Sequence, residues 1–233
     1  MTRNPQHSDP AIQAIERLLH PLFSASAAVV VLRDDEVGEL ELPELRHRII
    51  FNPARRQAFI AGRVAARMAM EKLGVEPKPV SVRDGYAPRW PTGVVGSISH
   101  ARGHTVAVLE RSRTVHGLGV DLQDLRPVRD GVLERITSAE ETASLRLICH
   151  NRSEAASHVA LAIKEAVFKA LPAEQQKGLT IAAIRIEVPA FGQFRLESVA
   201  GKPPPGGLLV GRFGLSQDYV AAGFSLLADE PGR

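Results

Sequence analysis

Apolar residues recur along the chain at two spacings, and each spacing predicts its own kind of secondary structure. Helical spacing, as in Ile12, Ile15 and Leu19, predicts helices over residues 11–19, 54–73 and 153–171, and a capping-box sequence at 137–140 predicts the start of another. Apolar runs bounded by turn residues predict strands at 27–32, 94–100, 105–109, 117–122, 181–188, 194–199, 208–213 and 219–226. We expect the three strands between 94 and 122 to form a meander. The order of helix then strands, seen twice, predicts an α+β fold.

Composition narrows the classes of protein that the chain can represent. Of 233 residues, 44% are hydrophobic, which is enough for a substantial core. The single cysteine, Cys149, excludes an internal disulfide framework and a thiolate zinc site. We expect a cytoplasmic protein, because the start lacks the apolar core of a signal peptide and no apolar run is long enough to span a bilayer.

The charge of the chain is unevenly distributed. The formal net charge is only +3, but residues 52–113 contain eleven Lys and Arg against four Asp and Glu. Such a basic segment favours an anionic partner. A small polyphosphate, an acidic protein and a nucleic acid all fit, although aromatic residues are only 5% of the chain and stacking platforms for single strands are therefore scarce.

Two short motifs about forty residues apart are the strongest chemical signal. In the predicted strand Gly119-Val120-Asp121-Leu122-Gln123, Asp121 and Gln123 share one face because side chains alternate. In the predicted helix, Glu165 and Lys169 are four residues apart on one face, and Lys164 is next to them. Carboxylates for a divalent metal and lysines for phosphate indicate phosphoryl-group chemistry. The alternatives are an ordinary strand-end aspartate and a surface salt bridge.

Two further groups could bind anions. Arg56, Arg63 and Arg67 fall within about 40° of each other on an ideal helix, which favours a bound phosphate or, alternatively, a solvated face. The sequence Ser97-Ile98-Ser99-His100 ends a predicted strand, where His100 could donate to a phosphate.

These segments together resemble the 4′-phosphopantetheinyl transferases of the siderophore and peptide-synthetase type, especially the enterobactin synthetase component D branch. The resemblance covers about residues 50–172 and follows one order. It consists of the segment from Arg56 to Arg63, Pro88-Arg89-Trp90-Pro91, Gly96 to His100, Gly119-Val120-Asp121, and Lys164-Glu165-Ala166 with Lys169. The resemblance implies an enzyme that moves phosphopantetheine from coenzyme A to a serine of an apo carrier protein and releases adenosine 3′,5′-bisphosphate.

The resemblance also implies a pseudo-two-fold α+β fold and a set of site residues. Each half is expected to have a small, mainly antiparallel sheet and a long helix, with residues 1–114 on the adenosine side and 115–233 on the metal side. Asp121, Gln123 and Glu165 would surround Mg²⁺ or Mn²⁺, and Glu165 and Lys169 would be catalytic. The expected coenzyme A ligands are Arg56, Arg63, Arg83, Ser99, His100, Lys164 and Lys169. The expected partner is an acidic acyl, peptidyl or aryl carrier, and the expected state is a monomer.

The chain departs from the family pattern at some of these positions. Gln123 stands where many relatives have Glu, which predicts a weaker metal site. A Gly-Lys-Pro-like lysine before the central strands is absent, and Arg83 or Arg89 is a candidate to replace its charge. Two other functions remain open, a nucleic-acid-binding module and a metal-dependent phosphohydrolase. Nucleic-acid binding alone would leave Asp121 and Glu165 unexplained.

Overall fold

The computed structural model describes residues 9–38, 52–82, 87–113, 115–152, 154–204 and 209–227. Its helices are α1 (Pro10–Leu19), α2 (Pro53–Lys72), α3 (Val132–Ile136), α4 (Ala139–Ile148), α5 (Ala155–Ala170) and α6 (Ala173–Gln176). Its strands are β1 (Ala28–Arg33), β2 (Ser81–Val82), β3 (Pro88–Arg89), β4 (Val94–Ala101), β5 (His104–Arg111), β6 (Val115–Asp124), β7 (Ile184–Ala190), β8 (Gln193–Val199), β9 (Leu209–Leu215) and β10 (Tyr219–Leu227). Short 3-10 turns follow α1 and β1 at His20–Leu22 and Asp34–Glu36.

The first half of the fold is a three-stranded antiparallel sheet covered by α2. The strand order is β1–β5–β4, and β2 and β3 form a separate two-stranded ribbon. The start of α2 is fixed by the side chain of Asn52, which accepts a hydrogen bond from Arg55 N, and by Pro53 at the first helical position. Small residues on α2 let it lie close to the sheet. The hydrophobic cluster between helix and sheet, called the α2 cluster below, includes Ile60, Ala61, Ala65, Ala66, Ala69 and Met70 of the helix with Val30, Leu32, Ala107 and Leu109 of the strands.

The second half is a five-stranded antiparallel sheet covered by α5. Its strand order is β6–β10–β9–β8–β7. The apolar stripe of α5 includes Val159, Ile163 and Val167, which pack in one cluster with Phe194 and Phe224 of the sheet. The rings of those two phenylalanines stack with their centroids 5.8 Å apart. Since the two halves each pair an antiparallel sheet with a long helix, the predicted α+β fold class with two similar halves is confirmed.

A third cluster joins the two halves. The row formed by Leu118, Val120 and Leu122 on β6 packs in this cluster with the second face of the three-stranded sheet and with α1. The 3-10 turn that follows α1 also contacts the five-stranded sheet, since Arg212 of β9 donates a hydrogen bond to Pro21 O at 3.2 Å. The two sheets are therefore united by one continuous apolar layer.

Most predicted elements are present, with three corrections. The meander between 94 and 122 is wrong in its third strand, because β4 pairs with β5 whereas β6 pairs with β10. The capping box is one residue later than predicted, since Ser138 caps Glu141 N and Glu141 caps Ser138 N. The sequence reading also missed α3, α6 and the β2–β3 ribbon. Within the described residues, no helix has both the length and the apolar character needed to cross a membrane. The predicted boundary between residues 114 and 115 stays a prediction.

Candidate active site

Two glycines of β6 bring α5 directly against the strand. A methyl group added at Gly117 would come within 2.1 Å of Ala170 O, and one at Gly119 within 1.8 Å of Ala166 O. Only glycine therefore allows the helix backbone to approach this closely. Because side chains on a strand alternate, the next residue on the same face is Asp121, which consequently meets the side chains of α5.

Asp121 is the centre of a hydrogen-bonded group at this junction. Its carboxylate is buried, with 4% of the residue exposed. The ammonium of Lys169 lies 2.6 Å from Oδ1, and Ser99 Oγ donates to the same oxygen at 2.9 Å. The amide nitrogen of Gln123 donates to Oδ2 at 2.5 Å. This geometry confirms that Asp121 and Gln123 share a strand face. The negative charge of Asp121 on β6 is balanced by the positive charge of Lys169 on α5.

Serine side chains connect β4 to β6 at the seam between the two sheets. Ser99 Oγ accepts a hydrogen bond from Leu122 N at 3.1 Å while donating to Asp121. Ser97 Oγ donates to Val120 O at 3.5 Å. Through these bonds, the first half contributes directly to the group around Asp121. Ser99 thus contacts Asp121, and its predicted role as a coenzyme A ligand stays a prediction.

Glu165 is half-buried on α5 and faces the same group. Loss of water around its carboxyl raises its pKa, the nearby charge of Asp121 raises it further, and Lys169 lowers it. The alternative interpretation of Glu165 and Lys169 as a surface salt bridge does not hold, because Lys169 pairs with Asp121 on β6. Glu165 is therefore a carboxylate held beside another carboxylate, with a proton affinity above that of an ordinary glutamate.

The residues around Asp121 fit a divalent cation that also contacts a ligand. No group of three or more His, Cys, Asp and Glu side chains suited to a metal occurs among the described residues. Mg²⁺, however, commonly binds through one or two carboxylates together with substrate phosphates and water. The pair Asp121 and Glu165 matches that donor set, because their mutual repulsion would be relieved by a cation. The oxygen of the Gln123 amide could supply a further neutral donor.

His100 lies at the end of β4, close to cations from both halves. Loss of water around the ring, together with the positive charges of Lys169 and Arg63, lowers its pKa from 6.5 to about 4. The negative charge of Asp121 opposes this shift. By surface area the residue is nevertheless exposed to solvent. Its neighbour across the interface is α2 at Gly62, where an added methyl group would lie 3.3 Å from His100 Cε1. The free protein therefore holds His100 in its neutral form at neutral pH.

The predicted arginine stripe of α2 is not an open solvated face. Arg63 is 4% exposed, its Nε donates to Val80 O at 3.1 Å, and its guanidinium lies 4.0 Å from the ring centre of Phe59. Its charge reaches His100. Arg56 lies two turns earlier on α2 and is half-buried. Arg83 lies outside the described residues.

The prediction that Lys164 holds a phosphate is wrong. Lys164 is fully buried, and its ammonium donates to Ile136 O and Ile184 O at 2.7 Å and forms an ion pair with Glu141 at 2.9 Å. Adjacent residues on a helix point about 100° apart, so Lys164 faces the core while Glu165 faces the seam. Lys164 therefore joins α4, α5 and β7. Sequence reasoning missed Glu141 as its partner, although the predicted capping box indicated the start of a helix there.

A cleft of about 640 Å³ opens from this group along the seam. Glu165 and Lys169 line it, and its walls also include Trp90, Phe168 and Leu171. Trp90 additionally packs against the α2 cluster, so it belongs both to the core of the first half and to the wall of the cleft. A cleft of mixed polar and apolar lining, with Glu165 and Lys169 in its wall, suits a ligand with a phosphorylated end and a longer, less polar arm.

The structure is a two-halved α+β protein with carboxylates and a lysine gathered at the seam of its two sheets, and comparison with known proteins identifies its family. A model described as the 4′-phosphopantetheinyl transferase N-terminal domain matches residues 51–110. A second model, described as the 4′-phosphopantetheinyl transferase superfamily, matches residues 117–222. The chain belongs to this superfamily.

Individual relatives agree with the family models. The 4′-phosphopantetheinyl transferase Svp of Streptomyces mobaraensis is 31% identical over 194 residues, which are 76% of this chain and 79% of that protein. The 4′-phosphopantetheinyl transferase PptT of Mycobacterium tuberculosis is 35% identical over 147 residues, 61% of this chain and 63% of that protein. Enterobactin synthase component D of Salmonella typhi is 38% identical over 71 residues, 30% and 28% of the two chains. The predicted enzyme class, a 4′-phosphopantetheinyl transferase that acts on carrier proteins, is thereby confirmed.

Proposed function

We propose that this enzyme transfers the 4′-phosphopantetheine group of coenzyme A to a serine of an apo carrier protein and releases adenosine 3′,5′-bisphosphate. The observation that carries the proposal is the convergence of Asp121, Glu165 and Lys169 at one end of the seam cleft. A pyrophosphate there would meet Lys169 and Ser99, and the pantetheine arm would follow the apolar wall past Trp90 and Phe168.

In this proposal the side chains of the chain itself perform the proton and charge steps. The serine oxygen forms a bond to the phosphorus that carries pantetheine, and the bond from that phosphorus to the adenosine 5′-phosphate oxygen breaks. Glu165 accepts the serine proton, directly or through water. Lys169 leaves Asp121 to neutralise the leaving bisphosphate. Asp121 and Glu165 would hold Mg²⁺ or Mn²⁺, which would neutralise charge on the pyrophosphate.

The remaining predicted ligands surround the adenosine end. Arg63 and His100 are electrostatically coupled across α2 and β4, which supports a phosphate between them. Arg56, on the same helix, and Arg83 keep their predicted role near the 3′-phosphate. Guanidinium groups suit such a site because their planar donors match phosphate oxygens.

The proposals for the carrier and its pathway rest on the charge of the chain and on its similarity to a relative matched over a shorter length. We propose an acyl, peptidyl or aryl carrier with an acidic surface, because residues 52–113 are strongly basic. The similarity to enterobactin synthase component D supports a role in siderophore or other non-ribosomal peptide or polyketide synthesis in the cytoplasm. In this view the enzyme acts as a monomer.

The experiment is incubation with coenzyme A, Mg²⁺ and a panel of apo carrier proteins, followed by intact mass measurement. We expect a carrier to gain the mass of one phosphopantetheine group. Glu165→Gln should slow transfer by at least about a hundredfold, the usual contribution of a general base. Glu187→Gln is the matched control, because Glu187 forms only a partly exposed pair with Arg195 on the other sheet edge. Release of inorganic phosphate without carrier modification would instead indicate a phosphohydrolase. Binding to oligonucleotides but not to coenzyme A in a salt titration would indicate a nucleic-acid-binding module.

A further inference from the structure

A chain of hydrogen bonds leads from His100 away from the cleft to a carboxylate that the function above does not use. His100 and Thr105 are opposite each other in the β4–β5 pair. Thr105 Oγ1 lies 2.7 Å from His100 Nδ1 and 2.5 Å from Asp34 Oδ1. Thr105 is fully buried, and Asp34 begins the 3-10 turn after β1.

The direction of these hydrogen bonds follows from the number of protons available. A hydroxyl has one proton, and an ionised carboxylate can only accept. Thr105 therefore donates its proton to Asp34 and accepts from His100, so His100 Nδ1 must carry a proton. In the neutral ring Nε2 is then the unprotonated nitrogen.

The backbone of Asp34, at the end of this hydrogen-bonded chain, is held from two sides. Asp34 N donates to Gly103 O at 2.8 Å, in the turn between β4 and β5. The side-chain amide of Gln57 on α2 donates to Asp34 O at 2.5 Å and also to Val37 O. Asp34 is thus anchored to the β4–β5 turn and to α2, the same elements that carry His100 and Gly62.

The charges that face His100 come from every element around it. Arg63 on α2 and Lys169 on α5 disfavour a second proton on the ring, whereas Asp121 on β6 favours it. Asp34, reached through Thr105, adds a further negative group on the Nδ1 side. A phosphate that enters between the two cations would reverse the balance and supply an acceptor for an Nε2 proton.

We propose that Asp34 and Thr105 are positioning residues for His100: they fix its proton on Nδ1, so that Nε2 alone gains a proton and donates it when a phosphate of the substrate binds. The proposal rests on the function given above for the place of the phosphate. The fixed tautomer, by contrast, is a property of the free protein.

The test is nitrogen NMR of the histidine rings in ¹⁵N-histidine-labelled protein. His100 is assigned by the signals that vanish in His100→Asn. We expect a protonated Nδ1 and an unprotonated Nε2 in the free protein, and conversion of Nε2 to the protonated form on addition of adenosine 3′,5′-bisphosphate. An Nε2-protonated neutral ring in the free wild-type protein would overturn the proposal.

Substitutions separate positioning from simple support of the fold. Thr105→Val keeps the shape but removes the acceptor, so the preference for Nδ1 should be lost, whereas Thr105→Ser should retain it. Asp34→Asn can donate as well as accept, so the ring should become a mixture of tautomers. Asp35→Asn is the matched control, because Asp35 is exposed and pairs with Arg33. Unchanged ring signals in both Thr105→Val and Asp34→Asn would overturn the proposal, because the hydrogen bonds of Asp34 and Thr105 would then only support the fold.

A binding measurement links the tautomer to the ligand. Thr105→Val should weaken binding of adenosine 3′,5′-bisphosphate about tenfold, as expected for one hydrogen bond to a charged group, and Thr105→Ser should restore it. Wild-type affinity in Thr105→Val would contradict the proposal. If the bisphosphate does not bind the wild-type protein while the free ring has the expected tautomer, the proposed function fails and the role of Asp34 and Thr105 in fixing the proton stands.

Discussion

Asp121 is a buried carboxylate that is fully hydrogen-bonded in the free protein, and its partners show how a single residue tunes this site. Lys169 supplies the balancing charge, and Gln123 supplies a neutral donor to the second oxygen. A glutamate at position 123 could not donate to Asp121 and would instead repel it. Residue 123 therefore determines whether the carboxylate of Asp121 is hydrogen-bonded by the protein alone or is repelled by a neighbouring carboxylate.

Gln123→Glu should make the protein depend more strongly on a metal. The added carboxylate lies beside Asp121, so the melting temperature in the presence of EDTA should fall, and Mg²⁺ should raise it by more than in the wild type. The Mn²⁺ dissociation constant should decrease by about tenfold, which corresponds to about 1.4 kcal/mol. Calorimetry and thermal unfolding measure both effects. Gln193→Glu, on an exposed position of β8, is the control. Equal metal affinity in both variants would remove Gln123 from the metal site.

His100 should make the free protein less stable in mild acid. Its pKa is 6.5 in the unfolded chain and about 4 in the folded protein, so between these pH values the unfolded state binds more protons. This contribution to stability is complete above pH 6.5 and is lost as the pH falls towards 4. In urea titrations, His100→Asn should lose less stability than wild type over that interval. Parallel stability–pH curves for the two proteins would refute the assignment.

At the scale of elements, the contact between α5 and β6 determines where the candidate catalytic groups lie. The helix can rest on the strand only because two positions have no side chain, and this contact puts Lys169 beside Asp121. On its other side, the buried pair of Lys164 and Glu141 fixes α5 to α4 and β7. Removing one partner of such a pair leaves an uncompensated buried charge, which costs about 3–5 kcal/mol. The helix is thus held on both faces.

Gly119→Ala should disrupt this contact. The new methyl group would meet Ala166 O at 1.8 Å, so α5 must move away from β6, at a cost of at least about 3 kcal/mol of unfolding free energy. Transfer activity should fall further than stability predicts, because Lys169 and Glu165 move with the helix. Gly38→Ala is the control, since among the described residues no atom lies within 4 Å of the added methyl group. Chemical denaturation with an activity assay measures both. Wild-type stability in Gly119→Ala would show that the helix can shift without cost.

The elements themselves could be predicted from the sequence, but their partners could not. Periodicity gave α2 and α5 to within a few residues, since a helix that buries one face must repeat apolar residues. It could not show that β6 leaves the neighbouring hairpin for β10, because that choice depends on contacts about a hundred residues away in the chain. The direction of Lys164 was wrong for the same reason: its partner Glu141 lies in another helix. Asp121 and Glu165 could be chosen as candidates because they stand in motifs that resemble those of a known family.

In the molecule as a whole, the site lies on the seam of two sheets and belongs to neither half alone. The first half contributes Ser99 and His100, and the second contributes Asp121, Glu165 and Lys169. The seam is closed by serine hydroxyls from β4 and by a shared apolar cluster. A ligand bound at this place must contact both halves at once.

Coenzyme A with Mg²⁺ should therefore protect both halves from hydrogen exchange. We expect slower exchange of backbone amides in β4 and α2 and in β6 and α5, because a ligand that binds only the assembled site suppresses its local opening. Amides of β7 and β8, at the far edge of the larger sheet, are the internal control. Mass spectrometry measures the exchange. Protection confined to one half would contradict a site on the seam.

Helix α1 has a practical consequence for anyone who divides this chain. It comes first in sequence, yet with the turn that follows it packs against the strand face of β9 and β10 as well as against β1. A fragment that starts at residue 115 would present Leu118, Val120 and Leu122 to water and should aggregate. A chimera between relatives should therefore not exchange the second half alone. The segment that ends at Phe23 must be exchanged together with it, although some ninety residues of the first half lie between the two in sequence.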